Sequence, residues 1–303
     1  MRRSSPATAW LVLAATLLLW SGNWIVARAV RDDIAPGIAT AGRLVVVLLI
    51  LLPFTFPGLK RKFGQLQGKT VLLAIGLTGG GLHLAFQWLG LHYTTATSAT
   101  LYLSTAPIFI LLLSRPLLGE RISARQWIGV AVSFCGVAFI GTQGRIFSGT
   151  SVVSFNTGDA LAIASMALWG AYTVFLRMRR DALDTPEFLT ALCAMGLVTL
   201  LPWVAFELIR GTETRLSVNG VVAVLYSAIA SLLLAGAGWT YVVKRLGAAR
   251  AGASMHLMPG IAVLLSMLLL NEYPRWYHGA GIALILAGVA LSTSRASSAA
   301  SSR

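Results

Sequence analysis

The sequence predicts an all-α membrane protein of ten transmembrane helices, built from two inverted five-helix repeats. Three observations predict it. The first is composition: of 303 residues, 56% are hydrophobic and 11% charged, where a soluble protein has about 25% charged. So few charges cannot cover a water-facing surface, so the solvent for most of the chain is lipid. The second is a series of apolar runs near the ~20 residues that a helix needs to cross hydrocarbon. The third is an internal repeat. Shifted by 152 residues, Ala96, Ala99, Pro107, Ser114, Glu120, Gly129, Gly136 and Ala138 each meet the same residue type at Ala248, Ala251, Pro259, Ser266, Glu272, Gly281, Gly288 and Ala290. A fixed long period marks a duplicated unit.

The ten runs are 8–28, 34–54, 69–91, 95–114, 123–142, 158–178, 187–208, 218–241, 250–270 and 276–293. Lipid supplies no water to satisfy backbone groups, so each run is expected to be helical. The first run follows Met1, Arg2 and Arg3, and Ala27-Arg28-Ala29 resembles a signal-peptide cleavage site. Against cleavage, Leu19, Trp20 and Arg28 match Leu168, Trp169 and Arg177 at an offset of 149, and removal would destroy the duplication.

Basic residues set the orientation. With the N-terminus in the cytoplasm, cytoplasmic segments hold 17 Lys and Arg, the other side holds 6, and Arg43 falls inside a span. The net charge of +14 is thus a topology signal, and no nucleic-acid partner is expected. Both termini are placed in the cytoplasm. Five spans is an odd number, so the second copy inserts upside down. Such repeats characterise secondary transporters, with the substrate site near mid-membrane. The expected units are 1–142 and 158–293, with a linker at 143–157 and a disordered tail at 294–303.

The run from Leu89 through His92 and Thr95 to Ala96, then Ala99, Pro107, Leu118-Gly119-Glu120-Arg121-Ile122, Gln126 and Gly129, resembles the EamA-type domain of the drug/metabolite transporter superfamily. So do Trp20, Gly22 and Asn23 in the first run, and Arg43 in the second. Trp169, Ala248, Pro259, Glu272 and Gly288 repeat the pattern more loosely. The resemblance implies a ten-helix inner-membrane carrier working by alternating access, often an exporter of amino acids or related metabolites. It places spans 1, 3, 4, 6, 8 and 9 around the path and spans 5 and 10 outside it. Where the first copy has Leu118-Gly119-Glu120, the second has Leu270-Asn271-Glu272 and then Tyr273-Pro274, so the two connectors need not behave alike.

Arg43 sits at mid-depth in its span, where a charge faces protein or water. It either contacts a substrate carboxylate or ties helices together. His83 and Gln87 share a helical face, which either lines the path or bonds a neighbouring helix. Pro107 and Pro259 are expected to kink spans 4 and 9, with Ser104 and His256 three residues before them. Asn23, Tyr102, Trp169, Tyr172, Tyr226, Ser231 and Trp239 are further candidates for the path, and Trp10, Trp127, Trp203 and Trp276 read as interface anchors. Glu120 and Glu272 fall in connectors and read as structural, with a gate role open to them. Ser123 and Gln126 fit a capping box.

No metal-ligand spacing or phosphate loop occurs, so no cofactor, metal or enzyme activity is expected. No acid occupies the centre of a span, whereas a base does, which favours a zwitterionic or anionic small molecule over a cationic drug. If transport is proton-coupled, His83, His256 or Asp159 must titrate. The rival readings are a multidrug or nucleoside-type exporter and, from another class, a membrane-embedded enzyme or assembly factor. A monomer and a homodimer are both open.

Overall fold

A computed structural model describes residues 6–64, 67–119, 123–145, 155–212, 214–215, 217–246 and 254–293. The linker expected at 143–157 is described only in part, and the tail at 294–303 and Glu120 lie outside the described residues. The described chain is helical throughout. In order come α1 (Pro6–Ala29), α2 (Pro36–Phe63), α3 (Lys69–Ile75), a π-helical segment Gly76–Leu82, α4 (His83–Tyr93), α5 (Ala96–Leu101), a 3-10 turn Tyr102–Thr105, α6 (Ala106–Leu118) and α7 (Ala124–Gly141). Then follow α8 (Thr157–Met178), α9 (Thr185–Ile209), α10 (Val218–Leu225), a second π segment Tyr226–Leu234, α11 (Ala235–Leu246), a 3-10 turn Met255–Leu257, α12 (Met258–Leu270) and α13 (Trp276–Thr293).

These starts recur. Pro6 and Thr157, Pro36 and Thr185, Gly76 and Tyr226, Tyr102 and Met255, and Ala124 and Trp276 each open like elements about 150 residues apart. The same irregularities, a π segment and a 3-10 turn, stand at matching places in the two halves.

Six helices are long and apolar enough to cross a membrane: Ala7–Ala29, Pro36–Lys62, Lys69–Tyr93, Thr157–Met178, Thr185–Ile209 and Val218–Trp239. Four shorter apolar helices, Ile108–Leu118, Ala124–Ile140, Met258–Leu270 and Trp276–Leu291, fall in the runs expected as spans 4, 5, 9 and 10. The α-helices in the fourth and ninth runs are short because a 3-10 turn precedes each. Pro107 and Pro259 stand in the first turn of α6 and α12, just after the 3-10 turns. They stand where each span passes from 3-10 to α-helix, and a proline there lacks the N–H that would bond back one turn.

The polarity of the bundle is that of a lipid-solvated protein. Leu49, Phe54, Val198 and Leu268 face outward, while Arg43, Thr40, Ser165 and Ser266 are buried. The packing pairs the two halves. α2 lies on α9 and α7 on α13; α1 packs on α11 and α12 as α8 packs on α4 and α6. Among the described residues, the α1 contacts with α11 and α12 have counterparts in the α8 contacts with α4 and α6.

Small residues let these helices touch. Gly136 and Gly281 put the backbones of α7 and α13 together, and a Cβ on Gly136 would stand 2.6 Å from the Gly281 carbonyl. Ser133 Oγ adds a hydrogen bond to the Ile285 carbonyl at 3.1 Å. Close backbone approach of this kind carries helix association where lipid removes the hydrophobic drive. The α7–α13 pair has its principal contacts with itself, which fits the outlying position expected of spans 5 and 10.

The ends of α2 and α9 are tied twice. Glu207 takes the N–H groups of Gly37 and Ile38 at 2.8 and 2.9 Å, holding the N-terminus of α2. At the other end Glu187 pairs with Lys62 at 2.5 Å and closes a capping box with Asp184. The box expected at Ser123 and Gln126 is present, and Asn156 and Asp159 form another at α8.

Candidate functional site

Arg43 lies on α2 and is 1% exposed. Its Nη1 donates to Ser227 Oγ at 3.0 Å and its Nη2 to the Leu84 carbonyl at 3.3 Å. Ser227 in turn donates to Asn23 Oδ1 at 2.5 Å. One relay therefore joins α1, the second π segment and α2, and crosses between the halves. The guanidinium lies 5.2 Å from the centre of the Trp88 ring. Arg28–Glu272, Arg31–Asp32, Lys62–Glu187 and Arg179–Asp181 form ion pairs, and Arg43 is in none of these.

Next to Leu84, His83 opens α4. Its Nδ1 faces the Ser165 carbonyl at 2.9 Å and Ser165 Oγ at 2.8 Å, and Ser165 Oγ also reaches the His83 carbonyl at 3.0 Å. The His83 ring stands 5.0 Å from Trp169, and Trp169 stands 5.1 Å from Tyr172. Gly79 makes room for Tyr172: a Cβ there would collide with the ring. The π turn around Gly79-Gly80-Gly81 thus lets α8 aromatics come close to the third span.

Five of the expected residues, Asn23, Arg43, His83, Trp169 and Tyr172, therefore lie along one seam from α1 across α2 and α4 to α8. Gln87 is buried one turn beyond His83 on α4. Tyr102 is fully buried in the adjoining apolar core. Trp239 lies elsewhere, packed on Trp20 at 5.3 Å beside Leu17 and Met258. The side chains of His256, Ser104 and Pro107 lie outside the described residues. Tyr226 and Ser231 serve packing: Tyr226 Oη donates to the Leu19 carbonyl at 3.1 Å, and the Ser231 carbonyl accepts the Trp20 indole at 3.0 Å. Asp159 is spent on its capping box and on Thr94, whose hydroxyl donates to it at 2.6 Å.

Sequence reasoning passed over three members. Ser227 and Ser165 are hydroxyls in apolar runs, and Trp88 is an aromatic in an apolar run. The only signal for each was polarity near a candidate on another helix. It also counted Arg28 only among the six Lys and Arg on the non-cytoplasmic side. In the structure Arg28 Nε pairs with Glu272 Oε1 at 3.3 Å, and its Nη1 donates to the carbonyls of Leu91 at 2.9 Å and His92 at 3.4 Å. Glu272 Oε2 accepts the Thr97 N–H at 3.2 Å. Thr97 and Ser266 hydroxyls meet at 2.9 Å. These contacts tie the two halves together at one end of the seam.

Comparison with known proteins agrees with this architecture. The model of the EamA-like transporter family matches residues 7–142 and 156–294. An uncharacterized transporter of Archaeoglobus fulgidus is 29% identical over 94% of this chain and 97% of its own. The uncharacterized transporter YetK of Bacillus subtilis is 28% identical over 93% and 85%. A probable terminal-alkyne amino-acid exporter of Streptantibioticus cattleyicolor is 26% identical over 92% and 91%. A solved structure at 21% identity superposes with a TM-score of 0.56 over 95% of this chain and 97% of the other, which speaks for the fold. With both halves of the sequence matched by one family model, the chain belongs to the EamA-like transporter family, and its work is transport across a membrane rather than catalysis.

Proposed function

We propose that the protein is a secondary exporter that works by alternating access and carries a small zwitterionic or anionic metabolite such as an amino acid. The observation that carries this reading is Arg43, a buried cation with no carboxylate partner among the described residues. A buried charge without a counter-ion is costly, and a substrate carboxylate supplies one. The likeness to a probable amino-acid exporter points the same way.

The chain makes ten spans in this reading, six of full length and four shorter, in two inverted units at 1–142 and 158–293. Matched element starts and matched inter-half contacts support it. In this reading the protein sits in the inner membrane, and the excess of Lys and Arg supports an orientation with both termini in the cytoplasm. The Arg28–Glu272 end then faces outward and is closed here. Its repeat counterparts are Arg177 and Glu120 at the cytoplasmic end, and the two ends open in turn.

The test is flux in proteoliposomes, comparing amino acids with quaternary ammonium dyes. Uptake of amino acids is expected. Preferential movement of the dyes returns the protein to the multidrug class.

A further inference from the structure

Arg43 Nε, Trp88 Nε1 and Tyr102 Oη are buried and have no hydrogen-bond partner among the described residues. Two of the three belong to neighbouring side chains, since the Arg43 guanidinium carbon lies 5.2 Å from the centre of the Trp88 ring. Both residues are more than nine-tenths buried. Arg43 is aimed by Ser227 on Nη1 and by the Leu84 carbonyl on Nη2, so its fork is fixed while Nε–H is unspent. A buried donor without an acceptor is destabilising, and the pair therefore asks for a ligand.

The chemistry of that ligand follows from the atoms. An indole N–H only donates, and a guanidinium only donates and keeps its charge. The complement accepts on two atoms and carries one negative charge. A carboxylate meets that description, whereas an amine or an ammonium would add donors to donors. We propose that Arg43 Nε–H and Trp88 Nε1–H form the seat of the substrate's carboxylate. The proposal rests on the reading of the protein as a carrier of zwitterionic or anionic metabolites. Trp88 stands one turn before Leu91 and His92, whose carbonyls hold Arg28, so the seat lies directly beneath the closed end.

The experiment uses the full chain in proteoliposomes and measures counterflow of each of the twenty proteinogenic L-amino acids. For those carried, competition by the free acid is compared with competition by its carboxamide. Wild type is expected to prefer the acid by about tenfold or more, the worth of a charge-assisted hydrogen bond. Trp88→Phe keeps the aromatic ring and removes the N–H. It is expected to lose most of that preference through a raised KM for the acid, with competition by the carboxamide weakened much less, since a neutral acceptor gains less from the N–H. Arg43→Lys keeps the charge and removes the fork, and is expected to do the same. Full preference for the acid in Trp88→Phe overturns the seat alone. A wild type that carries none of the twenty, or treats acid and carboxamide alike, overturns the seat and the amino-acid reading together.

Discussion

Arg28 Nε and Glu272 Oε1 stand 3.3 Å apart, although 244 residues separate them in the chain. Glu272 also holds the Thr97 N–H, so the pair fastens the end of α1 to the starts of α5 and α13. Reversing one partner with Glu272→Arg sets two cations against each other and is expected to open this end. A thiol placed at Ser98, in a chain whose Cys135 and Cys193 are replaced by Ala, should then react several-fold faster with an impermeant maleimide. Adding Arg28→Glu should restore slow labelling, and Glu272→Gln should keep it slow because the amide oxygen still accepts. Equal labelling in all four chains would show that the pair closes nothing.

The closed end also has an expected pH dependence. Burial holds the Glu272 carboxyl above the usual carboxylate range, against the pull of the Thr97 and Ala96 N–H groups and of Arg31. Glu272 sits in the connector before α13, outside the spans. An open, solvated end returns the group towards its ordinary value. The closed form then binds the proton more tightly, and by linkage acid favours closure. Labelling at Ser98 should slow as pH falls from neutral towards the ordinary carboxylate range. In Glu272→Gln the same scan should be flat. Faster labelling in acid would mean that the ion pair, not burial, dominates the carboxyl.

Arg43→Gln removes the cation from the seam while leaving side-chain amide groups to bond Ser227 and Leu84. Insertion and yield should hold, and amino-acid flux should fall by about tenfold or more. Undiminished flux would make Arg43 a tie between helices and nothing else.

Glu207 grips two N–H groups at the first turn of α2. Glu207→Ala leaves both without that partner and is expected to cost about 1–3 kcal/mol, read as a lower melting temperature in detergent. Transport by the molecules that remain folded should be unchanged, since Glu207 bonds the first turn of α2 and not the Arg43 relay about one and a half turns further on. An unaltered melting temperature would assign the helix start to other contacts.

The π turn of the third span is pressed against α9. A Cβ on Gly196 would strike the Gly80 carbonyl, whereas one on Gly279 meets nothing within 4 Å. Gly196→Ala should therefore lower stability and yield sharply, and Gly279→Ala should leave both intact. Equal effects would show that this crossing has slack.

Composition and periodicity determined much of this protein without help. Few charges and long apolar runs specify lipid as solvent, and Pro107, Pro259 and the Gly79-Gly80-Gly81 run mark where the helices depart from regular geometry. The register of Ala96–Ala138 on Ala248–Ala290 already contains the matching of the halves. Arg43 was legible as well, because a charge in an apolar run has few innocent explanations. What only tertiary structure decided is who meets whom. Ser227 reaches Arg43 across 184 residues, Trp88 is an ordinary apolar-run aromatic until α2 lies beside it, and Arg28 is one charge in a topology count until Glu272 arrives. Helical period tells which residues share a face of one helix; which face another helix covers is set by small-residue contacts such as Gly136 on Gly281, and these depend on both partners at once.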